Sequence, residues 1–193
     1  MKNDKDLNFD NLSAEKKEKI KNIIISDAFD KLIDFGTAGL RGIMEPGQNR
    51  INRHTIAHVS QAIANYMKDN NKKRIVIAGD TRNNSDLFEE TAADVFKCNG
   101  IEVFEFDRLV PISVLSYTTI ALCCDFGIYI TASHNPAIYN GYKVFNSNGC
   151  QILESMAAEI NKYREQLNVS SQIKETNIPS KIVSNYIIDK FIQ

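Results

Sequence analysis

Residues 74–106 read RIVIAGDTRNNSDLFEETAADVFKCNGIEVFEF, in which two short apolar runs flank a longer mixed segment. The two runs, residues 74–78 and 101–106, are rich in β-branched or aromatic residues, which is typical of strands. The segment between them, residues 85–98, has the length of a helix. A strand, a helix and a strand in succession predict a β–α–β crossover, which joins parallel strands.

The same alternation continues along the chain. A helix is expected at residues 112–122, a third strand at 125–131 and a further short strand at 142–145. Apolar residues at helical spacing predict additional helices, at residues 13–35 (capped by Ser13), 52–67 and 153–167. We therefore predict an α/β fold, with a mostly parallel mixed β-sheet sandwiched between helices.

Composition and charge exclude several classes of protein. The 193 residues carry a formal net charge of −1, and 43% of them are hydrophobic. This balance allows a sizeable core and gives no overall field that would attract nucleic acid or an anionic membrane. No run of about 18 apolar residues predicts a spanning helix, and the polar start does not resemble a signal peptide. Four cysteines without metal-finger spacing favour reduced thiols, so we expect a cytoplasmic protein.

Residues 131–143, TASHNPAIYNGYK, directly follow the third predicted strand. They should lie at the carboxyl end of a parallel sheet, where open α/β folds bind ligands. Turn-forming residues predict an exposed, tight loop for Ser133 and His134, and the loop is long enough to fold Lys143 back towards the serine. A serine hydroxyl can accept and return a phosphoryl group, while a lysine can neutralise phosphate oxygens or exchange a proton. On composition alone, a solvated β-turn is the alternative.

A second stretch, FGTAGLRG at residues 35–42, lies in a glycine-rich segment, residues 34–47, that predicts a loop. Glycines let backbone N–H groups approach an anion, and Arg41 offers a forked guanidinium for phosphate. The stretch lacks the spacing of a P-loop. Taken by itself, a flexible connector is the alternative interpretation.

In combination, the two stretches resemble the α-D-phosphohexomutases, the phosphoglucomutase and phosphomannomutase family. The resemblance lies in FGTAGLRG, in TASHNP about ninety residues later, and in Lys143 ten residues after Ser133. GDTRNNS at residues 79–85 and NGYKVFNSNGCQI at 140–152 agree with it, and it covers roughly residues 34–193. The glycine-rich stretch, with NRIN at 49–52, is most similar to the branch that contains phosphoglucomutases and phosphopentomutases.

The resemblance implies a phosphosugar mutase that interconverts sugar 1-phosphates with 6-phosphates or 5-phosphates through a phosphoserine and a sugar bisphosphate. Ser133 would carry the phosphoryl group, and its phosphate would bind the catalytic Mg²⁺. Lys143 would be the general acid/base, Arg41 would assist the proton transfer, and glucose 1,6-bisphosphate or an equivalent would be the activator. The implied substrate-binding residues are Thr37, Arg41, Ser133, His134, Asn135 and Lys143, with His134 also counted as catalytic.

The resemblance also implies how the chain is divided. Residues 1–34 would be an N-terminal extension and helix, residues 35–177 domain I with the phosphoserine loop, and residues 178–193 a linker and the first helix of a missing domain II. The other Mg²⁺ ligands would lie in C-terminal domains absent from this sequence, so we expect the chain alone to be inactive or very weak. The alternative is a non-catalytic relic of the family that binds a sugar phosphate or a partner protein.

Two smaller groups of polar residues stand apart from these stretches. Asp80 and Arg82 follow the first strand and could reach a ligand, although support of the neighbouring loop by hydrogen bonds is favoured. His54 and His58 lie four residues apart on a predicted helix, a spacing that can bind zinc. No third ligand is evident for them, and a solvent-facing or capping role is favoured.

Overall fold

The computed structural model describes residues 12–169, 173 and 175–193. In these ranges the helices are Ala14–Phe29 (α1), Arg53–Asp69 (α2), Ser85–Cys98 (α3), Ile112–Ala121 (α4), Glu154–Glu165 (α5) and Asn185–Ile192 (α6). The strands are Leu40–Ile43 (β1), Arg74–Gly79 (β2), Glu102–Glu105 (β3), Phe126–Ile130 (β4), Tyr139–Asn146 (β5) and Lys181–Ile182 (β6). They form one sheet in the order β1-β5-β4-β2-β3-β6.

The sheet is parallel in its centre and antiparallel at one side. β2 runs parallel to both β3 and β4, with Val76 opposite Phe104 on one side and Gly127 on the other. β5 runs antiparallel to β4 and to β1. Because α3 connects β2 to β3 and α4 connects β3 to β4, the crossovers expected from the sequence are present. The predicted α/β fold with a mostly parallel mixed sheet is confirmed.

Helices cover both faces of the sheet, because side chains alternate between the two faces along each strand. Ile75 and Ile77 of β2 pack into a large core that α2, α3 and α5 complete. Val76 and Ala78 of the same strand face the other way and pack with residues of α4. The carboxyl ends of β2 and β4 consequently emerge between two packed layers, where the loops that follow them meet.

The glycine-rich segment at residues 34–47 is not the continuous loop that its composition predicts. Part of it forms β1, in which Leu40 lies opposite Tyr142 of β5. Leu40 is only 1% exposed, because its side chain belongs to the large core. The prediction was wrong here because the pairing strand lies about a hundred residues further along the chain, and no local pattern reveals it.

The first helix begins after its predicted cap, Ser13, but ends at Phe29 instead of residue 35. The Gln48 and Asn49 side chains donate hydrogen bonds to the carbonyl oxygens of Phe29 and Asp27. These bonds satisfy acceptors that the end of a helix leaves free. The chain beyond the helix is thereby directed towards β1.

Residues 181–192 add a further strand and helix to the layered structure. β6 pairs in parallel with β3 at the sheet edge, and Val183 after it is buried. The rings of Phe191 in α6 and Tyr117 in α4 lie 5.7 Å apart. The proposed division at residues 34 and 177 stays a prediction, and residues 1–11 of the proposed extension lie outside the described ranges.

Two further observations concern the physical class of the protein. The cysteines are free thiols, of which Cys124 is buried. Within the part of the chain that the structure describes, no helix is both long and apolar enough to cross a membrane.

Candidate functional site

Ser133 lies on the loop that follows β4, and its side chain is exposed. Its backbone has φ of 58°, in the left-handed region that residues with a β-carbon rarely adopt. The Ser133 N–H donates to Thr131 Oγ1 at 2.9 Å. The Ser133 hydroxyl lies 3.5 Å from His134 Nδ1. The loop therefore presents the hydroxyl to solvent at the carboxyl end of the sheet, as the sequence predicts.

Arg82 holds this loop from the neighbouring β2–α3 connection. Its guanidinium donates to four backbone carbonyl oxygens, those of Ser133, Asn135, Pro136 and Tyr139, at 2.6, 2.7, 3.1 and 3.0 Å. The predicted role of Arg82, support of the neighbouring loop by hydrogen bonds, is confirmed.

Asp80, the residue after β2, supports the same loop through hydrogen bonds. Its Oδ2 accepts a hydrogen bond from Thr131 Oγ1 at 2.5 Å. Its Oδ1 accepts from the Arg82 N–H at 3.1 Å and from Ser85 Oγ at 3.3 Å. Both carboxylate oxygens are therefore engaged within the protein, and the supporting role predicted for Asp80 is confirmed as well.

The glycine-rich stretch reaches the serine loop through β1. Arg41 lies opposite Gly141 in the β1–β5 register, and its Nη1 donates to Asn135 Oδ1 at 3.0 Å. Thr37 is exposed in a tight turn, which two hydrogen bonds between Gly36 and Gly39 close. The structure thus brings Arg41 to the serine loop by direct contact, and it presents Thr37 to solvent without such a contact.

Lys143 lies on β5 opposite Tyr129 of β4 and is half-buried. Burial, followed by the positive charge of Arg41, lowers the pKa of Lys143, while the negative charge of Asp80 opposes this effect. Within the described part of the chain, Lys143 Nζ has no hydrogen-bond partner. A lysine with a lowered pKa has a larger neutral fraction, which is the form that accepts a proton.

A pocket of about 370 Å³ opens beside Ser133. It is lined by residues 80–83 together with Ser133, Asn135 and Ala137. Its volume lies within the range of small-molecule sites, about 300–1,000 Å³. Ser133 therefore lies at the edge of space large enough for a small ligand, whereas Arg41 and Lys143 are not among the residues that line it.

The described residues do not form a magnesium site by themselves. Asp80, the carboxylate of this pocket, already accepts hydrogen bonds from Thr131, Arg82 and Ser85. Elsewhere in the described ranges, no group of three His, Cys, Asp or Glu side chains could hold a metal ion.

His54 and His58 have unrelated environments. His54 is exposed. His58 is buried, contrary to the expected solvent-facing or capping role, and its Nε2 donates to the Arg164 carbonyl oxygen at 3.0 Å. Burial and the positive charge of Arg164 lower the pKa of His58. This second histidine therefore joins α2 to α5 as a neutral ring in the core.

Glu89 is a residue near the site that the sequence does not single out. It lies on α3 against the end of β2, where a β-carbon added to Gly79 would stand 2.2 Å from Glu89 Oε1. Burial, with the negative charges of Glu105, Asp86 and Asp80, raises the pKa of Glu89 to about 7. A carboxyl group that changes charge near neutral pH thus lies next to the Asp80 network.

The chain is similar to known proteins in sequence and in fold. Residues 32–169 match the family model described as phosphoglucomutase/phosphomannomutase, alpha/beta/alpha domain I. A phosphoglucomutase from Staphylococcus haemolyticus is 39% identical over 140 residues, which are 72% of this chain and 26% of that protein. A phosphopentomutase from Pongo abelii is 40% identical over 135 residues, which are 65% of this chain and 22% of that protein.

The fold also resembles solved structures. A crystal structure from Thermus thermophilus, assigned as a phosphomannomutase, has a TM-score of 0.71 and 24% sequence identity; the match covers 79% of this chain and 33% of that one. The chain therefore spans about a quarter of the length of the curated relatives and a third of the solved one.

Proposed function

The chain belongs to the phosphoglucomutase/phosphomannomutase family and matches its α/β/α domain I, and on this premise we propose that Ser133 is the phosphoryl carrier of a phosphosugar mutase. The proposal rests on the exposure of the Ser133 side chain and on the constraint of its backbone. Its hydroxyl is exposed beside a pocket, while Arg82 and Thr131 hold its backbone in a rarely adopted conformation.

The chemistry is a reversible transfer between two oxygens. The Ser133 hydroxyl attacks a phosphorus atom of a sugar bisphosphate, so that the Oγ–P bond forms as the bond between phosphorus and the sugar oxygen breaks. The serine proton passes to a base, and the sugar oxygen recovers a proton. In the reverse direction the phosphoserine donates its phosphoryl group to a sugar monophosphate, and two such steps at different hydroxyls isomerise the sugar phosphate.

Lys143 is the proposed general acid/base, with Arg41 as its partner. Burial and the charge of Arg41 lower the pKa of Lys143, which favours proton exchange near neutral pH. Arg41 itself is exposed and fixed at the serine loop by Asn135, so its guanidinium can also neutralise phosphate oxygens. His134, close to the Ser133 hydroxyl, and Thr37 on the exposed turn complete the proposed substrate-binding residues.

The proposed reaction also uses Mg²⁺ and a sugar bisphosphate activator. A phosphate on Ser133 would be one ligand for Mg²⁺, and the other ligands are proposed to come from further domains, as the resemblance implies. When bound, the metal neutralises charge on the transferring phosphoryl group. Glucose 1,6-bisphosphate or an equivalent would load the serine, and we expect the reaction to take place in the cytoplasm.

The proposed substrates are hexose or pentose monophosphates. The similarity to a phosphoglucomutase and to a phosphopentomutase, at 39% and 40% identity, supports both classes equally. Because the chain spans about a quarter of these relatives, the alternative is a non-catalytic domain that binds a sugar phosphate or a partner protein without turnover.

A domain exchange tests the function. Residues 32–169 would replace the matching segment of the Staphylococcus haemolyticus phosphoglucomutase, and conversion of glucose 1-phosphate to glucose 6-phosphate would be measured with Mg²⁺ and glucose 1,6-bisphosphate. We expect turnover, its loss in Ser133→Ala, and its retention in Ser147→Ala, which alters another exposed serine. Equal activity of the Ser133→Ala chimera would contradict the phosphoserine role. A folded chimera that binds glucose 1-phosphate without turnover would favour the alternative.

A second measurement uses the chain itself. Intact mass after incubation with glucose 1,6-bisphosphate and Mg²⁺ would report the gain of one phosphoryl group, and peptide mapping would locate it. We expect the gain at Ser133 and none in Ser133→Ala. Phosphorylation at another residue would overturn the assignment of Ser133.

A further inference from the structure

The guanidinium of Arg82 donates four hydrogen bonds to the serine loop, all of them to backbone carbonyl oxygens. We propose that Arg82 is a positioning residue for phosphoryl transfer, which fixes the backbone of Ser133 beside the pocket. This inference rests on the proposed phosphoryl-carrier role of Ser133. It adds a residue from the GDTR segment, at positions 79–82, to the machinery.

The planar guanidinium of Arg82 fixes the relative positions of the carbonyl oxygens that it binds. Nη2 donates to the carbonyl oxygens of Ser133 and Asn135, and Nη1 to those of Pro136 and Tyr139. The donors of a guanidinium project from one rigid plane. Four carbonyl oxygens bound to that plane are therefore fixed relative to one another, and the loop between β4 and β5 cannot change shape without breaking at least one bond.

The backbone of Ser133 is strained, because its φ of 58° lies in the left-handed region. A non-glycine residue in the left-handed region costs about 1–2 kcal/mol, and it persists only where the surroundings impose it. At Ser133 the N–H donates to Thr131 Oγ1 and the carbonyl oxygen accepts from Arg82 Nη2. Both backbone polar groups of the residue are thus held, one on each side of the strained α-carbon.

The two groups that bind the Ser133 backbone, Thr131 and Arg82, are both bound by Asp80. Asp80 Oδ2 accepts from Thr131 Oγ1, and Asp80 Oδ1 accepts from the Arg82 backbone N–H. Arg82 Nε also lies 3.5 Å from Asp80 Oδ2. The end of β2 therefore determines the position of the Ser133 backbone through Asp80 and Arg82.

The positioning role of Arg82 depends on the geometry of its guanidinium and not only on its charge. The Arg82 side chain is 14% exposed, and its terminal nitrogens are all directed at backbone carbonyls. A lysine at this position would keep the positive charge but would lose the planar fork, since its ammonium is a point charge with donors on a single atom. Substitution by lysine consequently isolates geometry from charge.

The test compares Arg82→Lys with Arg108→Lys, a matched change at an exposed arginine that pairs with Asp107 outside the site. The rate of phosphoryl gain on Ser133 from glucose 1,6-bisphosphate would be measured as a function of bisphosphate concentration. We expect Arg82→Lys to lower the maximal rate by about 10- to 100-fold, the scale of a small misplacement of a reacting group. The half-saturating concentration should change much less, and Arg108→Lys should leave both unchanged.

A second readout does not depend on phosphorylation. The amides of Ser133, Asn135 and Tyr139 are hydrogen-bonded within or beside the loop. Arg82→Lys should accelerate their hydrogen exchange by at least about tenfold while the amide of Ile128 in β4 stays as protected as in the parent chain. If the chimera that carries residues 32–169 shows no turnover, the proposed function fails, and the exchange comparison still decides whether Arg82 positions the loop.

Two results would overturn the inference. One is an Arg82→Lys chain that is phosphorylated at the parent's maximal rate. The other is a variant whose loop amides exchange as slowly as those of the parent, or whose β4 amides lose protection to the same extent, because the arginine would then support the fold in general.

Discussion

Gly39 lies directly against the carbonyl group of Tyr142, so that a β-carbon on residue 39 would stand 1.8 Å from the Tyr142 oxygen. The φ of Gly39 is +77°, in the region that side chains rarely adopt. The contact brings the glycine-rich stretch onto β5 immediately before Lys143. The close packing of the glycine-rich stretch on β5 therefore depends on the absence of a side chain at residue 39.

The first prediction compares Gly39→Ala with Gly100→Ala. Gly100 has nearly the same φ, +75°, but open space around its missing β-carbon. Backbone strain alone should cost the Gly100 variant about 1 kcal/mol, whereas the clash at Tyr142 should bring the loss in the Gly39 variant to at least about 3 kcal/mol. Urea unfolding measures both losses. Equal losses would mean that the contact with Tyr142 relaxes at no cost.

The regular part of the fold could be predicted from the sequence because its signals are local. The helix expected at residues 85–98 is α3, Ser85–Cys98, and the strand expected at 74–78 is β2 with one more residue. The helix expected at 13–35 was less accurate. Several of the apolar side chains in α1 are open to solvent, with Ile23 60% and Ile24 52% exposed although Ala28 is buried, because periodicity does not reveal which layers lie nearby.

The sequence singles out candidate site residues only where motifs resemble those of a known family. Ser133, Arg41 and Lys143 were identified through that resemblance, and their catalytic roles stay predictions. The four acceptors of Arg82 are backbone carbonyls, which every residue has, so their convergence cannot be seen in the sequence. Glu89 was missed for a related reason, since its burial depends on the space that Gly79 leaves at the end of β2.

The second prediction concerns the conformation of Ser133. Ser133→Thr keeps a hydroxyl, but a β-branched side chain at φ of 58° crowds its own backbone. We expect Ser133→Thr to lower the free energy of unfolding by about 1–2 kcal/mol relative to Ser133→Ala. It should also gain phosphate from glucose 1,6-bisphosphate far more slowly than the parent. Urea unfolding and intact mass provide the two measurements, and a threonine variant that matches the parent in both would show that the conformation imposes no such restriction.

The third prediction concerns pH and Glu89. The pKa of Glu89 is raised from 4.5 to about 7, so the folded state binds the proton more tightly than the unfolded chain does. The resulting stabilisation is complete below about pH 4.5 and is lost as the pH rises through 7. Glu89→Gln removes this loss. Between pH 4.5 and 8, the free energy of unfolding of the variant should therefore rise relative to that of the parent by up to about 3 kcal/mol.

Chemical unfolding at several pH values measures this difference. Glu90→Gln is the matched control, because Glu90 is the next residue on α3 and is exposed. The Glu90 variant should follow the pH profile of the parent. A Glu89→Gln profile parallel to that of the parent would mean that Glu89 titrates normally in the folded protein.

The fourth prediction tests the electrostatic link between Arg41 and Lys143 without any assay of activity. Burial and the charge of Arg41 lower the pKa of Lys143, whereas Asp80 raises it. Arg41→Gln should therefore raise the pKa of Lys143, and Asp80→Asn should lower it further, which gives two variants with opposite signs. Titration of the Lys143 side chain by NMR, with circular dichroism to establish that each variant is folded, measures both changes. A Lys143 pKa that does not respond to Arg41→Gln would separate the two residues electrostatically, and the proposed proton transfer would then have to rely on burial of the lysine alone.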